Sequence, residues 1–216
     1  MASLAAYRER KKLVDIVRRM LDGELSFLEG ALMVPRAEAL EIDDFDEDFL
    51  PFVAINSESD RFPLGAVRQY WSQDALAKLH PEIDGAEKWA GQTANHYCQR
   101  IIERLGPVAV RREIGQIARS MLCGEVTFIE GAHRIAPLHD YCALPALDTD
   151  IGAVLGVHQA YLWLPPIDGR EHWPLDMLQA KHPEIPHAEA TAKQTLTRHC
   201  QSLIERFLGE SPQTPT

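Results

Sequence analysis

The densest group of residues that could do chemistry in this 216-residue chain is the acidic run at residues 41–48. It holds six carboxylates in eight positions, and Glu58 and Asp60 follow closely. We expect Arg61 to be their only nearby compensating charge. Like charges this dense repel one another, so the run is typical of a solvated loop, a helix start, or a surface that attracts a basic protein. A calcium loop is not predicted, because the Asp-x-Asp-x-Asp-Gly spacing is missing.

We favour the third interpretation and predict that the acidic region is a partner-binding surface, with Phe45 and Phe49 adding apolar contact. The surface is predicted to consist of Asp43, Asp44, Phe45, Asp46, Glu47, Asp48, Glu58 and Asp60. The corresponding stretch of the second half, residues 145–150, carries far less charge. If the acidic region is the working surface, the second half is expected to have kept the fold without that role.

Histidines and cysteines are the next candidates, because both are common zinc ligands. Seven of the nine histidines lie in the second half, and His133, the pair His139 and Cys142, and the pair at 199–200 could be grouped into a site. Their spacings match no closed four-ligand pattern, and His-Glu-x-x-His is absent, so no metal is predicted. Cys98 and Cys200 fall on the apolar sides of predicted helices and are expected to be core thiols, whereas Cys142 is expected to be more exposed.

Catalytic motifs are also missing. The sequence contains no Gly-x-Ser-x-Gly, no glycine-rich phosphate loop and no Gly-x-Gly-x-x-Gly, so we predict neither an enzyme nor a cofactor. Several carboxylates recur in both halves, and helix capping and solvated helix faces account for most of them. The enzymatic alternative would bring Glu24 or Glu29 together with His80 in a cleft between the halves.

The elements that must position these residues follow from an internal similarity. Residues 20–31 recur at 121–132, and residues 71–106 match 173–208 at 17 of 36 positions. Apolar residues at helical spacing dominate both halves, and no alternating pattern persists. We therefore predict an all-α fold made of two tandem copies of a helical unit of about 100 residues, related by a pseudo-two-fold axis. The predicted boundaries are 1–106, 107–209 and a disordered tail at 210–216.

Each predicted unit begins with an amphipathic helix that stops at Gly23 or Gly124. Capping boxes at Ser26 and Thr127, each followed three residues later by glutamate, start the next helix. Short helices are predicted near 47–55 and 150–162, and a short helix begins after Ser72 and at Pro174. Pro81 and Pro183 are expected to open the longest helices, and residues 52–55 form the best strand candidate. Trp71 and Trp173 are expected to be structural plugs, and Trp163 to be buried.

Composition excludes several kinds of partner. The formal net charge of −10 argues against nucleic acid or an anionic membrane surface, which both need a basic face. The N-terminus has no secretory signal, and the longest apolar stretch is interrupted by proline and glycine. With four cysteines expected as reduced thiols, the predicted compartment is the cytoplasm.

Four segments carry a resemblance to a known class of proteins. The segments 20–31 and 121–132, the run 48–55 and the block 71–76 resemble bacterial uncharacterised helical domains, which look similar to immunity proteins that neutralise toxins delivered between bacteria. The resemblance implies a non-enzymatic protein whose acidic surface covers a basic site on a toxin, and it carries no catalytic residue. The alternatives are a small enzyme or metal-binding protein, or a helical scaffold or homodimer formed through the apolar segment 154–164.

Overall fold

The computed structural model describes residues 2–164, 174, 176–177, 180 and 184–210. All regular structure in these residues is helical and none is strand, which confirms the all-α prediction. The chain divides into two compact units, Met1–Gly106 and Pro107–Thr216. Among the described helices, none combines the length and the apolar character that crossing a membrane requires.

The first unit contains five α-helices and one 3₁₀ helix. In chain order these are α1 (Leu4–Leu21), α2 (Phe27–Met33), α3 (Ala37–Leu40), α4 (Leu50–Ser59), the 3₁₀ helix Gly65–Tyr70, and α5 (Gln73–Leu105). The 33-residue helix α5 is the spine of the unit, because α1, α2 and α4 all pack against it. The buried stripe of α5 consists of Ala90, Ala94, Cys98 and Ile101. It forms the core together with residues from the other three helices, namely Leu13, Val17, Met20, Leu28, Phe52 and Ile55.

In the second unit, the described residues form four α-helices and one 3₁₀ helix. These are α6 (Pro107–Cys123), α7 (Phe128–Ile135), the 3₁₀ helix Ala136–Tyr141, α8 (Thr149–Ala160) and α9 (Glu184–Leu208). Helix α9 packs against α6, α7 and α8, and its buried face consists of Ala188, Ala192, Leu196, Cys200, Leu203 and Ile204. The predictions for Trp173 and Pro183 fall outside the described residues, as does the tail 211–216.

Glycine turns and hydroxyl caps set the ends of the helices as the sequence predicts. Gly23 and Gly124 have φ angles of 73° and 77° and follow the last turns of α1 and α6. This left-handed conformation is nearly free of cost only for glycine. The Ser26 hydroxyl accepts a hydrogen bond from the Glu29 N–H at 3.1 Å, and Thr127 does the same for Glu130 at 3.2 Å.

A carboxylate from the long helix completes each of these caps. The Glu87 carboxylate accepts the N–H groups of Phe27 and Leu28 at 2.6 and 3.1 Å. In the second unit, Glu189 accepts the N–H groups of Phe128 and Ile129 at 3.1 and 3.3 Å. The first N–H groups of a helix have no partner within it, so an anionic acceptor both satisfies them and interacts favourably with the helix dipole. Short helices such as α2 are thereby tied to the spine.

A glycine lets each of these short helices approach the preceding helix closely. A Cβ atom built on Gly30 would lie 2.6 Å from Met20 Cγ, and one built on Gly131 would come even closer to the side chain of Met121. Both methionines are buried, so neither can move away without disturbing the core. This packing explains why both units have glycine at this position.

Two predictions about secondary structure are wrong. Pro81 does not open a helix, because α5 begins after its N-cap Ser72 and continues through Pro81 to Leu105. The proline is exposed, so water can satisfy the carbonyl that loses its donor, and the helix continues. Residues 52–55 lie within helix α4 and not in a strand, since Phe52 and Ile55 are spaced to bury on one helical face.

The tryptophans are also more exposed than predicted. Trp71 is 42% exposed and Trp163 is 40% exposed, so neither is a buried plug. The prediction that Cys142 is more exposed is also wrong. Cys142 is fully buried in the turn that follows the second 3₁₀ helix. At the tail, Glu210 is still in contact with the second unit through Arg119, at 3.0 Å.

We predict that Gly30→Ala and Gly131→Ala each destabilise the protein by about 1–3 kcal/mol, because the added methyl group overpacks the core against Met20 or Met121. The measurement is urea unfolding followed by circular dichroism. The matched control is Gly156→Ala on α8, where a Cβ meets nothing within 4 Å and where alanine is the better helix former. Equal stability of Gly131→Ala and Gly156→Ala would contradict the packing argument.

Candidate partner-binding surface

The acidic residues lie in the loop between α3 and α4, which we define as the acidic loop, residues 41–49. The loop starts with Glu41 in the left-handed conformation, at a φ angle of 49°. Arg10 holds this turn from helix α1, because its Nε donates to the Leu40 carbonyl at 2.9 Å. The Glu41 carboxylate accepts the Ser3 N–H at 3.0 Å, and hydrogen bonding to the Ser3 side chain and backbone lowers the pKa of Glu41. Glu41 therefore serves the fold.

Two acids of the predicted surface form ion pairs with arginines of the same unit. Arg104 on α5 contacts Asp46 at 2.5 Å and also pairs with Asp48. Arg100 Nε lies 2.8 Å from Asp48 Oδ1, and the Asp48 side chain is only 1% exposed. The hydrogen bonds from Arg104 lower the pKa of Asp46 despite its partial burial. The expectation that Arg61 is the only compensating charge is wrong, because the main compensation comes from α5.

The other acids of the loop remain on the outside. Asp43, Asp44 and Glu47 are exposed, and the Phe45 side chain between them is 81% exposed. Asp43 Oδ1 accepts the Phe45 N–H at 2.8 Å, which stabilises the turn at the tip of the loop. Phe49, predicted to add apolar contact, is instead 5% exposed and belongs to the core. The loop therefore presents one exposed aromatic ring among three exposed carboxylates.

The second unit contains the same kind of loop at residues 142–148, and Asp150 lies in the first turn of the following helix α8. Ala143 has a φ angle of 49°, and Arg111 Nε donates to the Cys142 carbonyl at 2.9 Å. Arg206 on α9 contacts both Asp148 and Asp150 at 2.5 Å. Each arginine lies 58 residues after the first aspartate of its Asp-x-Asp pair, as in Asp46 to Arg104 and Asp148 to Arg206. This recurring spacing is the sequence signal by which the anchoring arginines could have been found.

Asp150 has further partners, and the exposed tip of this loop is different. His199 Nδ1 and Ser202 Oγ contact Asp150 at 2.8 and 2.7 Å. Burial raises the pKa of Asp150, but the hydrogen bonds from His199, Ser202 and Arg206 outweigh it and lower the pKa overall. At the tip, Leu147 is 92% exposed and no carboxylate flanks it at 144–147. The second loop thus keeps the anchor but presents an apolar tip.

Glu58 and Asp60 are not part of the acidic loop. Both are exposed near the end of α4, and Glu58 lines a groove of about 480 Å³. We define this as the α4–α5 groove, lined by Glu58, Arg61, Glu82, Gly85, Ala86 and Trp89. Glu58 lies ten residues after Asp48, with most of α4 between them, which corresponds to about 15 Å of helix. The predicted surface is therefore split into two patches, one at each end of α4.

The residues proposed for an enzyme or a metal site have separate contacts. Glu29 accepts the Gly65 N–H at 3.1 Å, Glu24 lies 3.9 Å from Arg19, and His80 lies 3.2 Å from Asp84. Over the described ranges, no three His, Cys, Asp or Glu side chains are arranged to hold a metal ion.

The second unit also contains a close histidine pair and an apolar segment that is largely buried. His133 and His158 approach with Nδ1 atoms 2.8 Å apart, and burial lowers the pKa of His158, with His133 adding to the effect. In the segment 154–164, proposed as a homodimer interface, Val154, Val157 and Leu164 are buried within their own unit.

The cysteines differ sharply in accessibility. Cys98, Cys142 and Cys200 are buried, whereas Cys123 is exposed at the end of α6. Burial raises the pKa of the Cys98 and Cys200 thiols to about 12. Because the thiolate is the reactive form, these two thiols are inert in the folded protein. Their positions confirm the prediction of core thiols.

We predict that the aspartate anchors make the fold acid-sensitive. The pKa values of Asp46, Asp148 and Asp150 are lowered by folding, so their contribution is fully present above the ordinary carboxyl pKa. It is lost as the pH falls through the folded-state pKa values, and the urea midpoint should decrease below about pH 4. Asp150→Asn should lose about 2–4 kcal/mol at pH 7 and flatten this dependence. The exposed Asp140→Asn is the control, and an unchanged pH dependence in Asp150→Asn would contradict the assignment.

We also predict that a thiol reagent such as 5,5′-dithiobis(2-nitrobenzoic acid) modifies one cysteine per folded chain rapidly. That cysteine is Cys123, because the other three thiols are buried. Cys123→Ser should remove the fast phase, and unfolding in guanidinium should expose the remaining thiols. A fast phase that persists in Cys123→Ser would show that a buried thiol is accessible.

The chemistry-bearing surface thus consists of the acidic loop, with its aromatic tip, and the α4–α5 groove, which contains an exposed tryptophan between carboxylates. Both belong to the first unit, and internal arginines neutralise only Asp46 and Asp48 of the predicted residues. When compared with protein-family models, curated proteins and solved structures, the chain matches none of them.

Proposed function

We propose that this chain is a non-enzymatic protein-binding module that contacts a basic protein partner through the acidic surface of its first unit. The contacting residues are Asp43, Asp44, Phe45 and Glu47 of the acidic loop, together with Glu58 and Asp60. Asp46 and Asp48 contribute indirectly, because their ion pairs with Arg104 hold the loop in place.

The observation that supports this proposal is that the acidic loop contains two kinds of carboxylate, one ion-paired within the unit and one exposed to solvent. A loop that needed carboxylates only to satisfy Arg100 and Arg104 would need Asp46 and Asp48 alone. Asp43, Asp44 and Glu47 are left exposed around Phe45, and their mutual repulsion offsets part of the stability that the ion pairs provide. A basic partner would relieve that repulsion, and Phe45 would supply the central apolar contact of the interface.

The kind of partner follows from the resemblance described for the sequence. We propose an immunity-type role, in which the acidic surface covers a basic functional site on a bacterial toxin and blocks it. Tight inhibition of this kind requires a preorganised surface, because ordering a loop on binding costs affinity. The ion pairs that hold the acidic loop supply such preorganisation.

We further propose that the two units are tandem copies of one ancestral unit. The turn at Glu41 and Ala143, the arginine that holds it, and the Asp-x-Asp pair with its arginine on the long helix occur in both units. The exposed tips differ, since Leu147 replaces the charged surroundings of Phe45. On this proposal the second unit retains the scaffold and has lost the acidic contact.

The test is charge reversal on the loop without disturbing its anchor. The triple variant Asp43→Lys, Asp44→Lys, Glu47→Lys should bind the basic product of a neighbouring gene at least about tenfold more weakly in a purified binding assay. It should also show a weaker dependence of affinity on salt, because fewer interface charges are screened.

The control variant carries the same change in net charge on α1 and the turn after it, as Asp15→Lys, Asp22→Lys, Glu24→Lys. These exposed acids lie outside both patches, so the affinity should stay within about twofold of the wild type. Equal affinity and equal salt dependence for the loop triple and the wild type would refute the proposed surface.

A further inference from the structure

The α4–α5 groove has a composition that the acidic loop lacks. Glu58 and Glu82 place two carboxylates on its walls, Trp89 is 40% exposed beside them, and Arg61 adds one positive charge. Within the described ranges, neither Glu58 nor Glu82 makes a hydrogen bond or ion pair, whereas Asp46 and Asp48 are paired with Arg104. The groove therefore offers free carboxylates next to an aromatic surface.

The floor of the groove is open because of a glycine that packing does not require. A Cβ on Gly85 would meet nothing within 4 Å, although glycine in a helix costs about 1 kcal/mol relative to alanine. Gly91, two turns further along α5, differs, because a Cβ there would press against the Phe27 ring at 3.3 Å. Close packing accounts for Gly91, while at Gly85 the glycine only keeps the groove deep.

Carboxylates beside an exposed indole form the set that recognises a lysine or arginine side chain. The cation is attracted to the face of the ring, its head group donates hydrogen bonds to the carboxylates, and its aliphatic stem lies along apolar atoms such as those of Ala86. Arg61 is held over the Phe62 ring at 4.7 Å and makes no ion pair with Glu58 or Glu82. The net charge of the lining side chains is −1, which favours a cationic guest.

We propose that the α4–α5 groove is a receptor for a single arginine or lysine side chain of the partner protein. This inference rests on the proposed function for the nature of the partner, and it assigns Glu58, one of the proposed contacts, to a groove about 15 Å along α4 from the acidic loop. One partner that engages both sites must therefore present basic residues over a comparable distance.

The groove can be tested with a small probe before any partner is in hand. The probe is N-acetyl-Gly-Arg-Gly-amide, and the readout is the indole N–H resonance of Trp89 in proton–nitrogen NMR, assigned by its loss in Trp89→Phe. We expect a saturable shift with a dissociation constant on the order of 1 mM. N-acetyl-Gly-Leu-Gly-amide should cause no saturable shift, and equal shifts with both peptides would overturn the proposal.

The decisive variant fills the groove without removing a charge. Gly85→Leu places a side chain in open space on a helix that it also favours, so the melting temperature should not fall, whereas probe affinity should decrease at least about tenfold. The matched control is Gly156→Leu, at another open helical glycine, which should leave probe binding unchanged. Undiminished probe binding in Gly85→Leu would refute the groove.

These experiments distinguish a failure of the groove proposal from a failure of the proposed function. If Gly85→Leu lacks probe binding and also weakens the natural complex, the groove is supported. If probe binding is lost but the complex keeps its affinity, the partner does not use the groove, and the inference is overturned while the loop charge reversal still decides the proposed function. If only the loop triple fails to change the affinity, the acidic loop is wrong and the groove stands.

Discussion

One arginine fixes the position of the loop that carries the exposed charges. It lies close to the end of a long helix and pairs with two aspartates that are separated by a single residue. Arg104 contacts Asp46 and Asp48 from α5, so a connection of nine residues between short helices becomes a defined surface. Asp48 has almost no contact with solvent, and a carboxylate in such a place is tolerated only with cationic partners. The same requirement ties α4 to α5, because Asp48 lies two residues before α4 begins.

The second unit uses the same ion pairs for a different surface. Arg206 holds Asp148 and Asp150, but the tip of that loop presents Leu147 where the first unit presents Phe45 among acids. The anchor and the tip are thus independent: the aspartates point to the long helix, and the tip residues face away from it. Such a loop can change its exposed residues while its ion-paired anchor stays in place, which is the property expected of a recognition surface.

Much of the fold was predictable because local interactions set it. Hydroxyl caps at Ser26, Thr127 and Ser72 and the left-handed glycines at 23 and 124 depend on neighbours within four residues. The continuation of α5 through Pro81 was missed, since the general rule against proline in a helix ignores how exposed the site is. The anchor was missed because its partners are 56 to 58 residues apart, and a count of local charge cannot see them. The groove depends on α4 packing against α5, which no sequence pattern specifies.

The contact between Met20 and Gly30, and that between Met121 and Gly131, has a consequence for oxidising conditions. Each sulfur atom lies against a helix backbone in a fully packed interior, and Cys200 Sγ lies only 3.9 Å from Met121 Sδ. A sulfoxide is larger and polar, and neither property fits a space from which even one methyl group is excluded. The folded state therefore shields both sulfur atoms, whereas a newly made chain that is oxidised at either methionine would be unable to reach the native packing until a reductase restores the thioether.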